Sequence, residues 1–201
     1  VVTINFDSNR WSLVSPITAK YWASITAPES PTRQGYTFNW WNPEFPGTMP
    51  LNWGTLVAQW IANNDTEYTV EYYLQTLEWW YLETPSSSKV LSWVTDTDTE
   101  VVAEEIPWFT AQEIVQSVIN WDGSTEVGVY YTRNEYTISF DGNGWTVTAP
   151  ITARYWARIT ASESPTRQGY TFNWWNPEFP GTMPLNGETL VAQWLATQTT
   201  Y

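Results

Sequence analysis

The residue types best able to do chemistry in this chain are aromatic and acidic. Sixteen tryptophans and twelve tyrosines stand among its 201 residues. Flat aromatic rings stack on the apolar faces of sugars and concentrate at binding hot spots, so an exposed coplanar set would form a carbohydrate platform. The carboxylates of Asp96-Thr97-Asp98-Thr99-Glu100 alternate as calcium ligands can. The run lacks the glycine and the twelfth-position glutamate of an EF-hand loop, so it reads as a solvated acidic turn. Glu78 with Glu104 and Glu105 would offer an acid and a base for glycoside cleavage, but nothing in the sequence sets their separation. Asn64-Asp65-Thr66 has the pattern of a glycosylation acceptor and falls where a linker is expected. Histidine and cysteine are absent, which removes the commonest general base, thiolate metal sites and disulfides. No phosphate-cradling glycine loop or nucleophile elbow is present. The reading therefore assigns no catalytic residue, no cofactor and no metal, and expects no enzyme.

Charge narrows the partners. Eight basic residues face 21 acidic ones, a formal net charge of −13. Binding to nucleic acid or to an anionic membrane needs clustered cations, so neither is expected. No apolar run approaches the length of a membrane span, so direct membrane insertion of this segment is not expected. No leader is read at Val1 and no anchor at Tyr201, and the chain opens inside an apparent strand, as a piece of a longer protein would.

The elements that must position these residues are set by a repeat. Pro31 to Asn52 returns letter for letter at Pro165 to Asn186, 134 positions later. The match extends outward through Phe6 and Phe140, Tyr21-Trp22 and Tyr155-Trp156, and Ala58-Gln59-Trp60 and Ala192-Gln193-Trp194. Such a repeat decides the architecture before any finer reading. It predicts three small modules, 1–62, 66–133 and 135–197, with linkers too short for free tumbling. In the first module, alternation predicts strands at Val2 to Phe6, Ile17 to Ile25, Tyr36 to Asn39 and Thr55 to Trp60. Pro28 and Pro31 end the second of these, and a short helix or irregular crossover runs to Gly35. The middle module reads as strands at Tyr68 to Tyr72, Lys89 to Val94, Glu100 to Ala103, Ile114 to Ile119 and Glu126 to Tyr131. The expected class is mainly β with a short helix. The expected core is Phe6, Tyr36, Phe38, Trp41 and Trp60, with Phe140, Tyr170, Phe172, Trp175 and Trp194 as their counterparts; Ile4, Ile17, Tyr21, Ile25, Leu56 and Val57 complete it.

Phe6-Asp7-Ser8-Asn9, Pro31-Thr32-Arg33-Gln34-Gly35-Tyr36-Thr37-Phe38, Trp41 and Ala58-Gln59-Trp60 together resemble the Listeria–Bacteroides repeat, the B-repeat of internalin-type surface proteins. Tyr68 to Tyr72, Ile106-Pro107-Trp108-Phe109-Thr110 and Val127 to Tyr131 more weakly resemble a MucBP-like repeat. Both resemblances imply small β-grasp modules in modular bacterial surface proteins. They imply a non-enzymatic, extracellular stalk or spacer at the cell surface, with a part in adhesion. Its partners would be neighbouring copies of itself and host or matrix glycans or proteins. The alternative is a carbohydrate-binding module that uses exposed tryptophans.

One departure from the resemblance is systematic. Glycine is implied where this chain has Trp11, Trp22, Trp40, Trp145, Trp156 and Trp174, and Trp108 stands at a glycine of the weaker resemblance. Trp53 aligns with Gly187 of the other copy, and Trp79, Trp80, Trp93 and Trp121 sit in turn-like settings. Only Trp41, Trp60, Trp175 and Trp194 fall where the family has tryptophan. The twelve others are expected to be glycines in the biological protein. UGA, which some bacterial lineages read as glycine and others as tryptophan, would account for the substitution.

Overall fold

The computed structural model describes residues 1–146, 148–161 and 163–197. Among them there are twelve strands and no helix. The first module contains β1 (Val2–Asp7), β2 (Ile17–Ala19), β3 (Tyr36–Asn42) and β4 (Thr55–Ala62). The middle module contains β5 (Thr66–Leu74), β6 (Ser87–Trp93), β7 (Phe109–Ala111) and β8 (Glu126–Arg133). The third contains β9 (Glu135–Asp141), β10 (Ile151–Arg154), β11 (Tyr170–Asn176) and β12 (Glu188–Ala196).

Each group forms one four-stranded sheet in the order second, first, fourth, third. The central pair is parallel in both repeats, with Phe6 beside Leu56 and Phe140 beside Leu190. The outer pairs are antiparallel. In the middle sheet Thr69 N donates to Thr125 O and Gln75 N to Tyr131 O, partners that advance together as in a parallel pair. The three sheets thus share one connectivity, although the middle sequence is not a copy of the others. By its contacts the chain divides into two compact units. One is Val1–Glu71, Ser88–Val102 and Val115–Gly128, and the other Tyr72–Ser87, Ala103–Ile114 and Val129–Tyr201; the division passes through β5 and β8.

The expected short helix, and with it the β-grasp detail, is corrected. The segment after β2 crosses the sheet irregularly because Pro28 and Pro31 withhold two amide donors and break any ladder. Three of its backbone groups pair with the loop before β4. Trp22 N donates to Met49 O (2.8 Å), Met49 N to Ala23 O (2.8 Å) and Ile25 N to Gly47 O (3.0 Å). The third module repeats this strap with Trp156, Met183, Ala157, Ile159 and Gly181. The middle module does the same with different residues: Asp96 N to Ile119 O, Ile119 N to Thr97 O and Thr99 N to Ser117 O. This overturns the strands expected at Glu100 to Ala103 and Ile114 to Ile119: Ser117 and Ile119 serve the strap, with one bridge between Asp98 and Val118, and the Val101 backbone pairs with the Gln116 side chain. In return β7 forms at Phe109–Ala111, where no strand was expected.

The first core is Ile4, Trp41, Met49, Leu56 and Ala58, with Phe6, Ile17, Ile25, Phe38 and Trp60 packed partly buried against it. The other repeat matches it with Ile138, Phe140, Ile159, Trp175, Met183, Leu190 and Ala192, flanked by Phe172 and Trp194. Phe38 and Trp41 are three apart, so strict alternation would put them on opposite faces. A bulge between Phe38 and Trp40 absorbs the extra residue, turning Trp41 inward and Trp40 outward. The same bulge lies between Phe172 and Trp174. Met49 and Met183 are fully buried although they sit in loops. Tyr21 is corrected from core to surface, at 51 % exposure. Val57, Tyr36 and Tyr170 also lie outside the two clusters.

Candidate functional site at the module joints

The same local turn closes the crossover in all three modules. Tyr36 N donates to Arg33 O, Phe109 N to Ile106 O and Tyr170 N to Arg167 O, each at 3.2 Å. The residue before the donor is left-handed in every case: Gly35 at φ 75, Trp108 at 73 and Gly169 at 76. Its carbonyl accepts from the residue just past the module's last strand. Asn63 N reaches Gly35 O at 2.9 Å, Asn134 N reaches Trp108 O at 2.8 Å, and Thr197 N reaches Gly169 O at 3.0 Å.

In the first unit this turn becomes a joint. Asn63 O accepts from Thr95 N at 2.9 Å, and Thr37 Oγ1 donates to Asn63 Oδ1 at 2.8 Å. The buried Thr95 hydroxyl donates to Gly35 O (2.8 Å), which leaves Thr66 Oγ1 as its own donor partner (2.7 Å). Tyr36 OH donates to the Asp96 carboxylate. Burial, followed by this bond to Asp96, raises the Tyr36 phenol above its ordinary value, while Arg33 opposes the rise. The Arg33 guanidinium lies 3.4 Å from the Tyr36 ring centre and so fixes the ring's plane. A Cβ on Gly35 would stand 2.8 Å from Trp121 Cβ and 2.9 Å from its Cα, so the close approach requires glycine.

In the second unit the joint recurs. Asn134 O accepts from Tyr155 N at 2.8 Å, and Thr110 Oγ1 donates to Asn134 Oδ1 at 2.7 Å. Asn63 and Asn134, Thr37 and Thr110, and Thr95 and Tyr155 therefore hold equivalent places. Here the side chains differ: Trp108 stacks on Tyr155 with centres 4.8 Å apart. Arg154, 4 % exposed, donates from Nη1 to Thr76 O and Leu77 O and lies over the Trp79 ring. Burial pulls Arg133 below the ordinary guanidinium range, and the positive charge of Arg154 adds to this.

The chemistry-bearing residues of the sequence fall unevenly around these joints. Asp96 belongs to the first joint, and Thr66 of the glycosylation triplet is buried with its hydroxyl engaged. Glu104 and Glu105 line a shallow pocket with Pro107 and Phe109, to which Glu78 does not belong. No group of three or more metal-ligating side chains occurs among the described residues. Among those residues, no helix is long and apolar enough to cross a membrane. Trp41 and Trp175 are buried, whereas Trp60 and Trp194 are half-buried. Of the twelve tryptophans at expected glycine positions, Trp22, Trp40, Trp79, Trp80, Trp93, Trp108, Trp121, Trp145, Trp156 and Trp174 are exposed, and Trp11 and Trp53 are half-buried. Trp22, Trp79, Trp108 and Trp156 are left-handed. In the turn before Trp11 and Trp145, positive φ falls instead on Asn9-Arg10 and Asn143-Gly144. Sequence reasoning missed Asn63, Asn134 and Thr95. The signal for Asn63 and Asn134 was a polar residue directly after a module's last strand; Thr95, which follows β6, had none.

Two relatives from Evansella cellulosilytica match the chain at 26 % identity. One carries the name of a membrane protein and is covered over 96 % of this chain and 32 % of its own length. The other carries the name of a Gly-rich membrane protein, with 86 % of this chain and 21 % of its own length covered. The chain thus spans about a third and about a fifth of these relatives. The family described as the Listeria–Bacteroides repeat domain matches residues 3–60 and 136–193, the two modules whose separate cores and straps correspond residue by residue. That match takes in more than half of the sequence and leaves the middle module outside it, and on it this chain belongs to the Listeria–Bacteroides repeat family.

Proposed function

We propose that this chain is a non-enzymatic repeat segment of an extracellular bacterial surface protein, serving as a stalk or spacer and supporting adhesion. The observation that carries the reading is the recurring joint. In each unit the residue after one module's last strand is held by that module's turn and holds the next module's turn in its place. A spacer needs each module to be fixed to its neighbour by bonds the linker alone does not provide, since a bare short linker leaves orientation free. The family and the membrane-protein names of the relatives support a surface location. The middle module, with the connectivity of its neighbours, serves here as a MucBP-like spacer between two repeats.

The test is a distance distribution between spin labels at Ser15 and Ser92, both exposed and both in the first unit. A narrow distribution that broadens in a Thr95→Val, Asp96→Ala double variant is expected. An equally broad distribution in the native chain defeats the spacer reading. Turnover of a polysaccharide or peptide, lost on changing one carboxylate, defeats the non-enzymatic part.

One observation favours a second reading as a carbohydrate-binding module. Tyr21 and Trp22 are stacked 5.3 Å apart at 6° and are 51 % and 71 % exposed, a flat two-ring platform that requires tryptophan, not glycine, at position 22. Quenching of tryptophan fluorescence by a polysaccharide, abolished by Tyr21→Ala, would favour that reading over the spacer.

A further inference from the structure

We propose that the far end of the second repeat, built from Gly169, Tyr170, Thr171 and Thr197, is a docking face for a further module carrying the middle module's Thr95-Asp96-Thr97 turn. The inference rests on the spacer reading and names the partner of that same joint. Residues 165–186 are identical to 31–52, so Gly169, Tyr170 and Thr171 repeat Gly35, Tyr36 and Thr37 of the face that seats Thr95 and Asp96 in the first unit, and Thr197 stands where that face has Asn63. Its backbone is already set. Gly169 has φ 76 against 75 for Gly35, and Thr197 N donates to Gly169 O as Asn63 N does to Gly35 O. The Arg167 guanidinium lies 3.5 Å from the Tyr170 ring centre, matching Arg33 on Tyr36.

What differs is the occupant. Gly35 is in close contact with Trp121, whereas a Cβ on Gly169 would meet no atom of the described residues within 4 Å. Tyr36 is half-buried against Asp96, but Tyr170 is 39 % exposed. A docked turn would bring its Thr95 amide to Thr197 O, its Thr95 hydroxyl to Gly169 O and its Asp96 carboxylate to Tyr170 OH. These are three of the bonds of the first joint; the fourth, from Thr37 Oγ1 to Asn63 Oδ1, has no amide acceptor at Thr197. The middle module of a separate copy is unsuited as the occupant, because its own turn is engaged by its own Asn63 and Gly35.

A tandem chain tests this. Residues 1–197 followed directly by 64–197 put Thr197 in the place of Asn63. Amide hydrogen exchange is read at Thr95 in both middle modules, with Ile119 as the reporter that each is folded. The two Thr95 amides are expected to exchange at similar rates, and Gly169→Val is expected to speed the second about tenfold while sparing the first. Rapid exchange at the second Thr95 in the unaltered tandem, with its Ile119 protected, overturns the proposal. So does indifference to Gly169→Val. Should that variant unfold the second repeat, Asp96→Ala in the added module leaves the repeat intact and is expected to speed the second Thr95 amide about threefold. No change there also overturns it. The spin-label test addresses the first joint alone, so failure of one reading is distinguishable from failure of the other.

A separate observation carries a second proposal. We infer that the tryptophans at left-handed positions are glycines in the organism's own protein, written as tryptophan because their UGA codons were decoded under the wrong convention. The three modules act as internal controls. Trp22, Asp96 and Trp156 donate the same strap bond and are all left-handed, at φ 68, 63 and 67. Trp108 holds the place of Gly35 and Gly169. Gly123 and Gly187 each lie four residues past the strap residue, Ile119 or Met183, and close a turn with positive φ. Trp53 lies four residues past Met49 and is half-buried. Aspartate and glycine tolerate a left-handed backbone, whereas a bulky aromatic there is a genuine outlier. Trp79, at φ 82, is a further such site. Trp11, Trp40, Trp80, Trp93, Trp121, Trp145 and Trp174 do not have positive φ, and the inference does not extend to them. The joint itself does not depend on these side chains, since Asn63, Thr95, Asn134 and Tyr155 bond through the backbone.

Mass spectrometry of the protein purified from its own organism decides the matter. The tryptic peptide Tyr21 to Arg33, containing Trp22, is expected at the glycine mass, while Trp41 and Trp60 are expected at the tryptophan mass. Tryptophan at position 22, or an intact mass matching 23.2 kDa over these 201 residues, overturns the inference.

Discussion

The two repeats present the same turn in two situations. In the second, Arg154-Tyr155-Trp156 is seated: Tyr155 N is bonded to Asn134 O, Tyr155 is stacked on Trp108, and Arg154 is buried. In the first, Lys20-Tyr21-Trp22 is exposed throughout. The backbone is nevertheless the same, with φ 68 at Trp22 and 67 at Trp156. The turn is therefore formed by its own module's strap, through Met49 or Met183, and docking uses a shape that exists without it. Preformed shape lowers the ordering cost of association, so a joint of few backbone bonds can hold.

That comparison can be broken at the core, at the joint or at the turn. The largest effect is expected from Trp41→Ala, which empties the centre shared with Phe6 and Phe38. A loss of about 3–5 kcal/mol in a urea titration is expected, enough to unfold the repeat and its turn together. Next is Thr95→Val, which strips partners from Gly35 O and Thr66 Oγ1 in the seated turn. It should cost about 1–3 kcal/mol by the same titration. Tyr21→Phe, at the equivalent place in the free turn, should stay within about 0.5 kcal/mol. Equal losses would mean that seating contributes nothing.

A smaller effect separates left-handed from extended tryptophans. Trp22→Gly should raise stability by a net of about 1 kcal/mol, since relief of the left-handed penalty exceeds the entropy glycine adds to the unfolded chain. Trp40→Gly, in β3 with no such relief, should lower stability by about 0.5–1 kcal/mol. Thermal unfolding of the two variants checks the sign. The smallest effect is a pH dependence at the first joint. The folded chain holds the Tyr36 phenol above its ordinary value of 10.0 through burial and the bond to Asp96. A raised folded value means the folded chain keeps its proton longer than the unfolded one. The contribution is full below pH 10 and is lost as pH rises through the folded value. Tyr36→Phe should flatten that alkaline loss relative to the native chain in urea titrations at stepped pH.

Several features were legible in the residues alone. The repeat is written in the letters, and identity from Pro31 to Asn52 leaves no room for two different folds. Alternation marked β1, β4, β5 and β8, because a half-buried strand must place apolar side chains every second residue. Phe6, Phe38 and Trp41 were recognisable as packing residues from their type. The difference between the copies at Trp53 and Gly187 was visible in the letters.

The tertiary structure decided the rest, and in each case the cause lies far away in the sequence. The bulge that turns Trp41 inward arises from pairing with Gln59 and Ala58. The strap takes Met49 to Ala23, across the crossover that local signals left open between helix and coil. Glu100 to Ala103 looked like a strand because its composition suits one, yet its neighbours across the chain are strap residues and not a sheet edge. The joint could not be read at all, because Asn63 is an unremarkable linker residue until Gly35 and Thr95 are placed on either side of it. Local sequence fixes which backbone shapes are cheap, and only the partners brought together by the fold determine which polar groups must be satisfied there.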